Sequence, residues 1–187
     1  MPDPSLIIVV IDASGSMCEH GKALLARNLV AYVREHGRVG VETWPPGEAV
    51  VVLWGAETSL LDVAPEHDLP SFPASGRARV EPLLAVLDGL VRADVAPRIL
   101  LLSDGHIGGS EITAFRAWRR RHARVSVRAL AVGPDAVGAT LEKVADPDGV
   151  FLPEEIGAAM ATWSLPSRPE LPGRVGEIVE RSEGAHA

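Results

Sequence analysis

Residues Leu6 to Ile11 form an unbroken apolar run, LIIVVI, rich in β-branched side chains and closed by Asp12. β-Branched residues favour extended backbone, and a strand apolar at every position needs both faces covered. That is the strand of a parallel sheet with helices on either side, not of a half-solvated antiparallel sandwich, which alternates apolar and polar. The run does not read as a secretory signal. Asp3 precedes it, Asp12 ends it, and neither a basic region nor a small-residue cleavage site flanks it. No apolar stretch approaches the roughly 20 residues that cross a bilayer.

The rest of the chain repeats the alternation of strand and helix. Leu24, Leu25, Leu29 and Val33 recur at helical spacing within residues 21–36. Val39–Trp44 and Ala49–Trp54 read as strands flanking Pro45, Pro46 and Gly47, a possible antiparallel pair with one member at the sheet edge, and Thr58–Val63 adds a short strand. Ala64–Gly76, rich in Pro, Ser and Asp, reads as a long loop. A helix follows over Val80–Val91, starting close to Pro82, because proline is tolerated only in a first turn. Arg98–Leu102 is a second solid strand. Ser110 is the expected cap of a helix running to His122, with Glu111 near its positive end. Val125–Val132, Ala136–Val144, Gly149–Leu152 and Glu154–Trp163 complete the order as strand, short helix, short strand and final helix. The fold class is therefore α/β: a doubly wound, mostly parallel sheet with one antiparallel edge strand and helices on both faces.

The chain has 187 residues, which suits one domain over residues 1–163. Residues 164–187 turn Pro-rich at Pro166, Pro169 and Pro172 and then polar, a tail that is a candidate docking segment. The single cysteine, Cys18, rules out an intrachain disulfide and fits a reducing, cytoplasmic setting. A formal charge of −7 weighs against nucleic-acid binding. The basic run Arg119–His122 is expected at a helix C-terminus for the helix dipole alone. Trp44, Trp54, Trp118 and Trp163 read as core or edge cover, and Glu66, His67 and Asp68 as a solvated loop.

Two strands end in oxygen-bearing residues. One runs into Asp12-Ala13-Ser14-Gly15-Ser16 and the other into Ser103-Asp104-Gly105. In an open α/β sheet, ligands bind beyond the carboxyl ends of the strands where strand order reverses. A hard divalent cation takes oxygen ligands and keeps several waters, so two hydroxyls and two carboxylates from neighbouring loops suit it. Gly15 and Gly105 allow the sharp turns this requires.

The Asp12-x-Ser14-x-Ser16 motif after a buried strand, with Asp104-Gly105 after a later one, resembles the metal-ion-dependent adhesion site of von Willebrand factor A domains. Element order agrees over residues 5–163. The resemblance implies a Rossmann-like fold in which Ser14 and Ser16 bind Mg²⁺ or Mn²⁺ directly. Asp12 and Asp104 then lie close to the ion, often through water, and a partner's carboxylate completes the coordination. Such domains recognise proteins rather than catalyse. The resemblance to intracellular bacterial members implies a protein partner such as a MoxR-type AAA ATPase or its client, in a stress or defence system.

One departure stands out. The family supplies a threonine from the loop before the third helix, but the loop here reads Ser75-Gly76-Arg77-Ala78-Arg79-Val80-Glu81. Three outcomes follow. Ser75 or Glu81 supplies the missing oxygen; the site holds metal with one ligand fewer; or Arg77 or Arg79 enters the acidic pocket in place of the ion, since a guanidinium pairs two carboxylates in a fixed fork. His106, Arg77 and Arg79 are the expected rim toward a partner. Taken singly, Ser14 and Ser16 are ordinary helix-capping serines and Asp12 an ordinary turn residue. It is their occurrence together with Asp104 that points to a site. Two other functions compete: a constitutive structural subunit with a metal-free site, and a metal-assisted phosphohydrolase. The second is disfavoured by Ser14, which stands where such enzymes carry a second acid.

Overall fold

The computed structural model describes residues 6–39, 49–61, 69–91, 97–161 and 163. Six strands make one sheet: β1 (Ile7–Asp12), β2 (Ala49–Trp54), β3 (Thr58–Leu61), β4 (Arg98–Ser103), β5 (Ser126–Ala131) and β6 (Val150–Phe151), in the order β3-β2-β1-β4-β5-β6. All neighbours are parallel except β2 and β3. The helices are α1 (Lys22–Val39), α2 (Val80–Leu90), α3 (Gly109–Arg121), α4 (Gly138–Leu141) and α5 (Ile156–Ala161), with 3₁₀ turns at Gly15–Cys18 and Pro153–Glu155.

β1 lies between β2 and β4 and is buried at every position. Its side chains alternate between two cores, as strand geometry dictates. Ile7, Val9 and Ile11 meet Ala26, Leu29, Val30 and Val33 of α1 together with Ile156, Ala159 and Met160 of α5. Ile8 and Val10 meet Val80, Leu83 and Leu87 of α2 and Ile112, Phe115 and Trp118 of α3. Fully burying a side chain of this size stabilises the fold by about 1.5–3 kcal/mol. The continuous apolar run is thus what allows two helical layers to close on one strand.

The expected doubly wound sheet is present, with one antiparallel edge strand. That edge is the pair of β2 with β3. Val39 closes α1, and residues 40–48 lie outside the described residues. The turn that reverses the chain is the short Gly55–Glu57 segment, where Gly55 N donates to Glu57 O at 3.1 Å. The cap of α3 differs from the sequence expectation. Gly108 is the cap residue, and Ser110 lies inside the helix with its hydroxyl donating to Glu111 at 2.7 Å. Glu66, His67 and Asp68, Trp44 and the 164–187 tail lie outside the described residues.

Candidate functional site

Strand order reverses between β1 and β4, because the chain leaves β1 for β2 on one side and later places β4 on the other. The motif loop follows β1 at that point. It is fixed by backbone bonds to two neighbouring segments. Ala13 N donates to Trp54 O at 2.8 Å, Gly15 N to Gly76 O at 2.8 Å, and Ser75 N to Ala13 O at 2.9 Å. Met17 is fully buried and anchors the 3₁₀ turn in the core below. Cys18, in the same turn, is exposed, and its thiol meets Ala74 O.

The predicted residues come together. Asp12 is buried; its Oδ1 accepts Ser14 N at 2.9 Å and its Oδ2 accepts the Ser103 hydroxyl at 2.6 Å. The Ser14 and Ser16 hydroxyls lie 3.2 Å apart, and Ser16 sits beside Asp104. Burial raises the Asp12 pKa despite the bonds from Ser103 and Ser14, and the charge of Asp104 pushes the same way. The groups that hydrogen-bond Asp12 are thus neutral donors.

Asp104 is in the opposite condition. Lys22, the first residue of α1, is fully buried and places its ammonium 2.8 Å from Asp104 Oδ2 and 2.8 Å from Asp135. Burial alone would raise the Asp104 carboxyl, but Lys22, Ser16 and His106 outweigh it and hold its pKa low. Burial likewise opposes the Lys22 charge, yet Asp104 and Asp135 hold its pKa above the ordinary value. The cation beside the acidic pocket is therefore a lysine, and of the three outcomes left open the entry of Arg77 or Arg79 is not the one seen. Arg77 is 67% exposed and pairs at 2.8 Å with Glu111, which the shape of the loop brings within reach. Arg79 is exposed ahead of α2, where its carbonyl accepts the Trp54 indole N–H at 2.8 Å.

Ser75 and Glu81 are both exposed, and Ser75 meets the motif loop through its backbone. His106 lies beside Asp104, with its side chain 46% exposed. Its backbone N donates to Asp104 Oδ1 at 3.1 Å, and its Nδ1 lies 3.2 Å from Oδ2. Asp104, His106 and Asp135 also bring potential ligand atoms within 4.8 Å of one another, around the position of the Lys22 ammonium. Arg119 of the basic run bonds Val144 O and Ala145 O and pairs with Asp146, a structural role.

Sequence reasoning missed Lys22 and Asp135, and it named Ser103 only as part of the strand-end motif. A signal for the first was present. A lysine that opens a helix faces the positive end of its dipole, which is unfavourable unless anions lie nearby. Asp135 follows Gly133-Pro134 at the carboxyl end of β5, a third strand end on the same side of the sheet.

A divalent ion fits the Asp12 side of this arrangement. Two ligands on an octahedral edge with bonds of about 2.1 Å lie about 3.0 Å apart, close to the Ser14–Ser16 separation of 3.2 Å. The buried Asp12 carboxyl lies beside them, bonded to neutral donors, and supplies charge of the right sign when ionised.

No family model matches the chain, and no curated protein matches it by sequence. Solved structures do match. Proximal thread matrix protein 1 of the mussel byssus, with a zinc-occupied MIDAS motif, superposes with a TM-score of 0.63 at 18% identity over 87% of this chain and 46% of that one. A von Willebrand factor type A protein from Catenulispora acidiphila gives 0.58 at 16% identity, over 86% and 42%. The fold is that of a von Willebrand factor A (vWA) domain. The manganese-loaded TRAP protein of Plasmodium vivax shares this vWA fold, at a TM-score of 0.58 and 12% identity over 84% of this chain and 72% of that one. The chain spans less than half the length of the mussel and Catenulispora proteins.

Proposed function

We propose that this vWA-type domain is a protein-interaction module, not an enzyme, that holds a divalent cation at the carboxyl end of its sheet and presents it to a partner. The observation that carries the reading is Asp12: a buried carboxylate met by a backbone N–H and a hydroxyl, with the Ser14 and Ser16 hydroxyls beside it. Ser14 and Ser16 hold the ion, and Asp12 stabilises it electrostatically. The ion supplies a Lewis-acidic anchor for an oxygen ligand of the partner. Asp104 borders the site through Ser16, and His106, Arg77 and Arg79 form its rim. A groove lined by His20, Leu25, Leu29, Pro134 and Leu152 opens beside Lys22 and extends the surface open to a partner.

The ion is Mg²⁺ or Mn²⁺, as oxygen-only ligands favour. Support for a metal also comes from the mussel and Plasmodium proteins of the same fold, whose structures hold zinc and manganese. The proposed setting is a bacterial cytoplasm, with a MoxR-type AAA ATPase or its client as partner. No described helix is long and apolar enough to cross a membrane. The test is a pull-down with the tagged full chain, followed by elution with EDTA. The reading expects the partner to be released by chelator and not captured by Ser16→Ala. Retention in both cases contradicts it. A second reading, a constitutive subunit with a metal-free site, is favoured by the Lys22–Asp104 pair, and capture insensitive to EDTA is its signature.

A further inference from the structure

Asp12 and Asp104 are two carboxylates at one site with different company. Asp12 meets neutral donors. Both oxygens of Asp104 are engaged: Oδ2 by the Lys22 ammonium at 2.8 Å, Oδ1 by His106 N at 3.1 Å. The lysine stem is packed against the loop after β5. A Cβ on Gly133 would lie 2.7 Å from Lys22 Cε, 2.9 Å from Cγ and 3.0 Å from Cδ, so the loop after β5 is moulded to the lysine stem. Gly133 has φ +101°, a conformation open to glycine and strained for other residues. Asp135, 40% exposed, closes the far side of the ammonium.

We propose that Lys22 is the dedicated counter-ion of Asp104 and sets the cation affinity of the site. The ion held by Ser14 and Ser16 draws its carboxylate charge from Asp12, while the charge of Asp104 is neutralised from within. This rests on the metal-site reading above and departs from the expectation that Asp12 and Asp104 serve the ion alike. An uncancelled carboxylate near a divalent ion strengthens its binding by more than roughly tenfold at the short separations within such a pocket. Lys22 therefore keeps the isolated domain a weak cation binder, leaving room for the partner's ligand to complete the site.

The test is a double-mutant cycle read by calorimetric titration of Mn²⁺ into the full chain, with circular dichroism to confirm folding. Lys22→Met should bind Mn²⁺ at least about tenfold tighter than the wild type, because Asp104 is released. Lys22→Met with Asp104→Asn conserves the net charge and removes both members of the pair, and should return to within about threefold of the wild type. If Lys22→Met does not fold, the double variant carries the test. An Mn²⁺ affinity at least about tenfold weaker than wild type in the double variant would show that Asp104 serves the ion directly, and would overturn the proposal. So would a folded Lys22→Met that binds no tighter than a wild type that does bind. Absence of saturable binding in all three proteins would remove the metal-site reading and this proposal together.

Discussion

At the scale of single residues, the site is governed by how each buried charge is compensated. Asp12 has a raised pKa because it is buried, so its folded form holds a proton more firmly than its unfolded form. The stability it contributes is present at acid pH and is lost as pH rises through the raised folded value. In metal-free protein at neutral pH, Asp12→Asn should therefore raise the thermal midpoint, and the gain should shrink as pH falls toward the acid range. A calorimetric pH series checks this; a loss of stability on Asp12→Asn at neutral pH in chelator contradicts it. Asp104 and Lys22 behave oppositely. The lowered Asp104 pKa contributes stability above its unfolded value that is lost as pH falls through the folded one. The raised Lys22 pKa contributes stability below its unfolded value that is lost as pH climbs through the folded one. Removing one partner of a buried pair leaves the other charge uncompensated, which costs about 3–5 kcal/mol. Lys22→Met should lose about that much in urea denaturation, and adding Asp104→Asn should recover most of it.

At the scale of elements, the apolar runs were the most legible part of the sequence. Leu6–Ile11 and Arg98–Leu102 name their strands to within one residue, because a strand buried on both faces leaves no polar position to confuse the reading. The failures lie where tertiary contacts override local signals. Ser110 looks like a helix cap, yet its hydroxyl is directed to Glu111, whose carboxylate that bond holds below its usual range despite burial. The antiparallel edge of β2 and β3 is closed by the Gly55–Glu57 turn. Glycines at strand ends carry the elements toward the site. Gly105 has φ +78°, and a Cβ there would lie 2.6 Å from Val137 O just ahead of α4. Gly105→Ala should cost more than about 1 kcal/mol through strain and this contact, measurable by chemical denaturation. Leu100→Ala, at the centre of β4 and fully buried, should cost about 2–5 kcal/mol by the same measurement.

At the scale of the whole molecule, the sheet order places the ends of β1 and β4 side by side, which is why two motifs distant in sequence meet. That meeting was legible, because two strands ending in acids within an α/β pattern fix the same edge of the sheet. The content of the pocket was not. The missing threonine directed attention to the loop carrying Arg77 and Arg79, whereas the cation comes from the start of α1 and its second acid from the loop after β5. A residue that reaches the site along its own buried stem leaves no periodic or motif signal. The central claim is that Ser14, Ser16 and Asp12 form a cation site on a vWA fold. Calorimetric titration of Mn²⁺ into the wild type and into Ser16→Ala tests it most directly. The account predicts saturable one-to-one heat in the wild type that is abolished in Ser16→Ala; no saturable heat at millimolar Mn²⁺, or equal heat in both proteins, would contradict it.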